Sequence, residues 1–539
     1  MNNMSMEQTP AIPHAQIRST SSALITRILL AIAALWCLYW FVHAWQYWED
    51  DAYIHLEFAR SVAAGKGFAF NGRVVAGDTA PLWVLLLAGA HTLVSDWLIA
   101  GKLLTVLAAL FGLAGIYSFA RRLASQIQPA FEAALFPAAI ILLIVVNPYT
   151  CYWIFSGMES LAASGLACFA VLAATHHRPS TRNFLAACFL AGIGPLLRPE
   201  MFFLSAILGL LLIARLQSFD SGSRLGLFAS GLFLTTFPLA LWSMYSLHAF
   251  GHVLPNTNAA KRASPGDSVV HHLINIYSIG FPLILGGVIV GIVYFILRPN
   301  TVRRSAQTAL KDALAPVARK SLYGLSDAGW VFILWLVVTT IFYVFNHTYV
   351  QTRYILVTAP GVTAIVVALA LMASRRIGRI VYATGLAAAL FVSLAIARPL
   401  VRNKGINCQI SRDLAYFIRD HIPPDAPVAD YSIGEIAFFS QHPIIDTGGI
   451  TRPGAIPYLN GPPDKSLAWI RSEGAQYTIG VKPEPGATIA YRSPFKFIGW
   501  AYPTSRYSKD ELIELWKLPP APASSQLSES AASPASARR

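Results

Sequence analysis

Charge is scarce in this chain. Only 13% of its 539 residues are Asp, Glu, Lys or Arg, against roughly 25% in soluble domains. With 55% hydrophobic residues and a mean hydropathy of +0.51, this excludes a string of soluble domains and indicates an integral membrane protein. Cysteine is scarce too: Cys37, Cys151, Cys168, Cys188 and Cys408 are all there is. They show no Cys-x-x-Cys and no Cys/His spacing, which speaks against a cysteine-built metal site and a disulfide framework. No short-period repeat is visible, which argues against repeat-built transporter folds. Acidic residues are outnumbered 27 to 41, for a formal charge of +14. That excess does not indicate a nucleic-acid partner, because Lys and Arg sit in short clusters between apolar segments, as topology signals do.

What is abundant is apolar sequence in lengths that suit a bilayer, which needs roughly 20 residues per helix. Twelve candidate segments cover 23–46, 80–95, 98–119, 132–147, 158–175, 184–198, 201–216, 225–247, 273–297, 329–346, 354–373 and 379–398. The first exceeds a signal-peptide core and lacks a clear small-residue cleavage site, so it reads as an uncleaved anchor. From about 402 the pattern changes. An amphipathic helix over Arg412–His421 precedes strand-like runs at Pro427–Ala429, Ile436–Phe439 and Tyr477–Val481, which reads as a small α/β domain. The expected organisation is a disordered N-terminus over 1–20, a membrane bundle over 21–400 with a first external loop at 47–79, a soluble α/β domain over 401–519, and a disordered tail over 520–539.

Basic clusters at Arg121/Arg122, Arg178/Arg182, Arg215/Arg224, Arg298 to Lys320 and Arg375/Arg376/Arg379 set the topology. If the short segment at 80–95, which begins at Pro81, does not fully cross, eleven crossings put every cluster on the cytoplasmic side. Asp50/Asp51, Glu159, Arg198/Glu200, Lys261/Arg262, Arg353 and the C-terminal domain then share the opposite face.

Several constellations on that face could carry chemistry. Asp50 and Asp51 open the run Asp50-Asp51-Ala52-Tyr53-Ile54-His55. Apolar residues at helical spacing predict an interfacial helix over 51–64, lying on the membrane with the aspartates at its positive end. Each aspartate is open to two readings, as a helix cap or as a catalytic or binding group. Glu159 opens a membrane helix; Arg198 and Glu200 flank Pro199 between apolar runs and could simply pair with each other. Asn256, Lys261 and Arg262 lie in an external loop that breaks the positive-inside pattern, and His347 and Arg353-Tyr354 lead into another helix. An external Arg or Lys at bilayer depth suits a phosphate; the alternative is anchoring to lipid head groups.

The run Asp50-Asp51-Ala52-Tyr53-Ile54-His55, with Phe58-Ala59-Arg60, Gly65-Lys66-Gly67-Phe68 and Pro81-Leu82-Trp83, resembles the N-terminal signature of polyprenyl-phosphate-dependent glycosyltransferases of the GT-C fold. Ser156-Gly157-Met158-Glu159, Arg198-Pro199-Glu200, Leu254-Pro255-Asn256-Thr257, Arg353-Tyr354 and Asp446-Thr447-Gly448-Gly449-Ile450 are similar to the branch of the mycobacterial terminal β-arabinofuranosyltransferase. That branch also holds unassigned bacterial proteins and a flagellar-motor-associated protein. Gly77-Asp78-Thr79-Ala80 departs from the pattern, which has Gly-Tyr-Thr-Ser there.

The resemblance implies a GT-C-like bundle in a bacterial inner membrane, with its active site outside the cytoplasm. It implies inverting transfer of a sugar, with a pentofuranose such as arabinose as a candidate, from a polyprenyl-phosphate donor to a cell-envelope glycan or lipid acceptor. Asp51 is the candidate general base, with Asp50 second or orienting it. Tyr53, His55, Glu159, Arg198, Glu200, Asn256, Lys261, Arg353 and Tyr354 are the candidate substrate-binding residues. No cofactor is required by this chemistry; the fold admits a divalent metal between the aspartates and the phosphate. The competing expectation is a membrane carrier or an envelope or flagellar assembly factor without enzymatic activity. Carriers tend to hold key charges mid-helix, whereas here they cluster at helix ends.

Overall fold

The computed structural model describes residues 14–127, 130–178, 180–263, 326–346, 350–373, 375–459, 461–480, 484–498 and 511–520, and the isolated positions 269, 270, 273 and 280. The expected segment at 273–297, apart from residues 273 and 280, the basic run Arg298 to Lys320, His347 and the tail beyond 520 lie outside them. So do residues 1–13, while helix begins at His14, inside the stretch expected to be disordered.

Helices dominate the first 421 residues. They are α1 (His14–His43), α2 (Asp50–Ala63), α3 (Pro81–Leu93), α4 (Trp97–Ala124), α5 (Ala130–Val146), α6 (Pro148–Trp153), α7 (Ser160–Ala174), α8 (Thr181–Leu197), α9 (Met201–Arg215), α10 (Ser221–Phe250) and α11 (Asn256–Ala263). Past the undescribed stretch come α12 (Asp327–Asn346), α13 (Thr352–Ile355), α14 (Ala359–Ala373), α15 (Arg375–Val392) and α16 (Arg398–His421). A small antiparallel hairpin of β1 (Ala69–Phe70) and β2 (Arg73–Val74) follows α2. Six described helical stretches are long and apolar enough to cross a membrane, among them Trp97–Ala124 and Ser221–Phe250, and five apolar helices are shorter. The chain is a multi-pass membrane protein. Helix α3 has 13 residues, about 20 Å, less than the ~30 Å of a hydrocarbon core.

The basic helix ends meet on one face. Arg122, in the last turn of α4, contacts His177 beyond α7. Arg215, at the end of α9, bonds Asp327 at the start of α12 at 3.2 Å, and Arg379 of α15 pairs with Glu132 of α5. Glu159, Arg198 and Glu200 flank the opposite ends of α7, α8 and α9.

Helices α15 and α16 run through a π turn at Ser393–Ala397 as one helical stretch of 47 residues, Arg375–His421, about 70 Å long. The sequence pattern separates a membrane segment at 379–398 from an amphipathic helix at 412–421; the structure joins them. Pro399 follows the π turn directly, and that turn absorbs the register change a missing N–H imposes. The helix carries the chain out of the bundle into a five-stranded sheet of order β4-β3-β5-β7-β6. Its strands are β3 (Val428–Asp430), β4 (Ile444–Asp446), β5 (Tyr477–Ile479), β6 (Thr488–Phe497) and β7 (Glu511–Lys517). Strands β4, β3 and β5 are parallel, and β7 and β6 continue antiparallel.

Helices α17 (Ile433–Ser440) and α18 (Pro463–Ser472) complete this domain. The Ile436–Phe439 run is therefore helical rather than a strand, since four apolar residues carry no period that separates the two.

Helix α2 does not expose an apolar face, as a helix laid on lipid would. Ala52 through Ala59 are all buried, because α2 packs against α3 on one side and α17 on the other. Asp50 accepts the backbone N–H groups of Gly434 (3.1 Å) and Glu435 (3.0 Å) in the first turn of α17, where they have no intrahelical partner. Tyr53 Oη accepts a bond from Arg412 of α16 at 3.0 Å. A Cβ at Gly434 would meet the carbonyl oxygen of Asp50. Burial pushes the Asp50 carboxyl up to about 7, although the N–H groups of Glu435 and Gly434 favour its ionised form.

Two outcomes follow from this contact. Gly434→Ala should part α2 from α17 and destabilise the protein by about 1–3 kcal/mol, read as a lower unfolding temperature in detergent and faster proteolysis between 421 and 463. A folded-state carboxyl raised above its unfolded value of roughly 3.9 stabilises fully below that value and loses the contribution as pH rises through about 7. The unfolding-temperature advantage of the wild type over Asp50→Asn should therefore shrink between pH 5 and pH 8; an advantage that grows would contradict the assignment.

Candidate active site

A cavity of about 550 Å³ opens where the ends of α7, α8 and α9 meet α2, α11 and α13. Its walls are in part apolar, with Phe202, Phe203, Leu239, Trp242, Phe250 and Phe342. They also carry Asp51, His55, Asp78, Glu159, Arg198, Glu200, Lys261, Arg353 and Tyr354. Ile450, from the loop after β4, closes part of the rim.

Short helices and helix ends aim these groups. Arg353 sits on the four-residue α13, preceded by Thr352, whose hydroxyl accepts a bond from Trp153 Nε1 at 2.8 Å. Its guanidinium is only 2% exposed and pairs with Asp51 through Nη2. Its Nε and Nη1 have no hydrogen-bond partner among the described residues. Lys261, in the last turn of α11, donates to the hydroxyl of Tyr354. The Tyr354 ring lies amid three cations: Lys261 Nζ at 4.9 Å, Arg198 Cζ at 5.1 Å and Arg353 Cζ at 5.4 Å from its centroid.

Arg198 is bound from two sides. It donates to Glu200 (2.8 and 3.1 Å) and to Glu159 Oε1 (2.6 Å). The pairing of Arg198 with Glu200 is thus present, and Glu159 completes a triad. Glu200 also accepts from Tyr343 Oη at 2.7 Å.

Asp51, in the first turn of α2, is about one-third exposed to the cavity. Burial would raise its pKa; the Arg353 charge and then Lys261 outweigh burial and hold it below the usual carboxylate range. Asp51 is ionised at any physiological pH.

Of the eleven candidate residues, eight line this cavity: Asp51, His55, Glu159, Arg198, Glu200, Lys261, Arg353 and Tyr354. Three do not. Asp50 and Tyr53 face the C-terminal domain, because neighbouring residues on a helix point about 100° apart. Asn256 starts α11 and donates its N–H to Ala76 O at 2.9 Å, while Thr257, Asn258 and Lys261 line the cavity instead. Asp78 and Tyr343 line the cavity as well, and sequence reasoning missed them. For Asp78 the signal was its departure from the expected Gly-Tyr-Thr-Ser.

The donor set does not fit a metal between the two aspartates. Asp50 is occupied by N–H groups and Asp51 by Arg353. Among the described residues no group of three His, Cys, Asp or Glu could hold an ion.

Residues 401–516 match a family described as a domain of unknown function (DUF8728). No curated protein matches the chain. Among solved structures, the chain is similar to ArnT from Cupriavidus metallidurans bound to undecaprenyl phosphate, at 14% identity and a TM-score of 0.53, covering 92% of this chain and 99% of that one. The apo state of the same protein matches with a TM-score of 0.54, at 14% identity, over 93% of this chain and 100% of that one. The arabinofuranosyltransferase AftD from Mycobacteria matches at 14% identity and a TM-score of 0.45, over 92% of this chain and 40% of that one. The likeness to ArnT shows a shared fold: this chain is a GT-C-like helical membrane bundle with a small C-terminal α/β domain.

Proposed function

We propose that the chain is a membrane glycosyltransferase that moves a sugar from a polyprenyl-phosphate donor to a cell-envelope glycan or lipid acceptor. One observation carries this reading. A single cavity is lined both by apolar aromatic and aliphatic side chains and by three buried or half-buried cations around Tyr354, with the Asp51 carboxylate among its walls. An isoprenoid chain suits the apolar walls, and a phosphate suits the cations. The undecaprenyl phosphate bound by ArnT supports the same class of lipid.

The chemistry runs through the chain's own groups. An acceptor hydroxyl attacks the anomeric carbon, its proton passes to Asp51, and the bond from that carbon to the phosphate oxygen breaks. The electron pair leaves on the phosphate, and attack from the opposite face inverts the centre. Arg353, Lys261 and Arg198 stabilise the departing charge. The unpartnered Nε and Nη1 of Arg353 are its donors for that phosphate. Engaging them draws the guanidinium from Asp51, which raises the basicity of the carboxylate when a donor is bound. Glu159, Glu200 and Tyr354 hold the cations in place, and His55 meets the sugar. Tyr53, Asn256 and Asp50 act from outside the cavity, by holding α2 and α11. The sugar we favour is a pentofuranose such as arabinose. The site and the C-terminal domain lie on the extracytoplasmic side of a bacterial inner membrane, opposite the basic helix ends.

Purified protein incubated with polyprenyl phosphates carrying arabinofuranose, mannose or glucose should consume one of them; consumption of none would leave a carrier or assembly factor as the better reading. Asp51→Asn keeps the side-chain shape and should lower transfer about 10²–10⁴-fold with insertion near normal. Turnover equal to wild type would remove Asp51 from the reaction. Arg353→Lys retains charge without the two-pronged geometry, and a clear fall in donor turnover is expected of a folded variant. A reporter active only in the cytoplasm, fused to the C-terminus, should be silent; a strong signal would invert the topology.

A further inference from the structure

The structure assigns a seat for one sugar hydroxyl between His55 Nε2 and Glu159 Oε2, with Asp78 as the residue that aims the imidazole. This inference rests on the donor reading above and names how the sugar itself is held.

His55 lies four residues after Asp51 on α2, so the two share a helix face, and both line the cavity. Its Nδ1 is 2.5 Å from Asp78 Oδ2, and both side chains are almost fully buried. The second oxygen of Asp78 accepts the N–H of Ala80 at 2.6 Å, which fixes the plane of the carboxylate and so the imidazole. Nε2 lies 3.6 Å from Glu159 Oε2, too far for a hydrogen bond. The other oxygen of Glu159 is held by Arg198 at 2.6 Å, whereas Oε2 is buried with no hydrogen-bond partner among the described residues.

Buried polar atoms are rarely left this way. A donor and an acceptor 3.6 Å apart leave room for one oxygen about 2.8 Å from each. A hydroxyl fits both, because it accepts from Nε2–H and donates to Oε2. A ligand oxygen without a proton satisfies only one of them. Burial works against the charged imidazole, while Asp78, then Glu159 and Asp51, raise its pKa above the ordinary value; carboxylate oxygens beside both ring nitrogens favour the form that carries both protons.

Asp78→Ala tests the seat. Ala removes the acceptor that holds Nδ1–H, so the imidazole is no longer aimed and Nε2 is no longer fixed beside Glu159 Oε2. Equilibrium binding in lipid nanodiscs would compare sugar-free polyprenyl phosphate with polyprenyl phosphates carrying arabinofuranose, mannose or glucose. The wild type should bind one sugar-bearing form more tightly than the sugar-free lipid. Asp78→Ala should weaken that form about 10-fold and leave the sugar-free lipid unchanged, which a merely structural role would not do. If the variant fails to fold, monodeoxy forms of the bound sugar decide on the wild type alone, where one position should cost about 10-fold. Every monodeoxy form binding like its parent, or an unchanged sugar preference in Asp78→Ala, would overturn the seat. No preference for any sugar-bearing form would overturn it as well. Failure of the wild type to bind any polyprenyl phosphate would instead remove the donor reading and the seat with it.

Discussion

Two adjacent carboxylates at the start of α2 point in different directions, and much of the architecture depends on that divergence. Asp50 accepts two N–H groups of α17 in the C-terminal domain. Asp51 meets Arg353 from the far end of the bundle. A helix turns about 100° per residue, so one dipeptide can join two bodies that come together nowhere in the sequence. The first turn of α2 is also where negative charge is favoured by the helix dipole. Slipping α2 by one residue would exchange the two roles and lose both.

A buried cation secures the segment leading into that dipeptide. Lys102 of α4 is 5% exposed and donates to three backbone carbonyls, Ala44 (3.5 Å), Tyr47 (2.9 Å) and Phe155 (3.4 Å). Its ammonium lies 4.9 Å from the Trp48 ring centre. It thereby fastens the turn before Asp50 to the turn before Glu159. Gly157, with φ +90°, lies so close to Ala52 and Trp48 that a Cβ there would sit 2.6 Å from Ala52 Cβ. The charged part of the cavity wall is built from helix ends pinned to one another, with little freedom for its charged groups.

The loop after β4 links the domain to the cavity. Asp446 accepts the N–H groups of Gly448 (2.7 Å) and Thr451 (2.6 Å), which curls the loop and presents Ile450 at the rim. Open α/β sheets gather ligands beyond the carboxyl ends of their parallel strands, and the loop from one such end, after β4, reaches the membrane cavity through Ile450.

Much was legible in the sequence because the relevant physics is local or compositional. Runs of about 20 apolar residues announce bilayer helices, and each of the eleven expected segments that fall in the described residues contains a helix, though 354–373 is broken by a turn at Leu356–Thr358. Basic clusters marked one set of helix ends, and Asp51, Glu159, Arg198 and Arg353 stood out as charges that a membrane interface does not retain without reason. Other features were not readable. The Ile436–Phe439 run has no decisive period. The spacing in α2 shows one apolar stripe, yet its other faces are buried by α3 and α17. Asp50 from Asp51, and Asn256 from Thr257, differ in role only through direction. Asp78 finds His55 from 23 positions further along the chain, past the rest of α2 and the β1–β2 hairpin. Hydrophobicity and charge therefore determined that this is a membrane bundle with a polar face and a small α/β domain. Which of its charged residues touch the cavity, and which hold the two bodies together, was decided by tertiary packing alone, because helix rotation and domain docking leave no mark in local sequence.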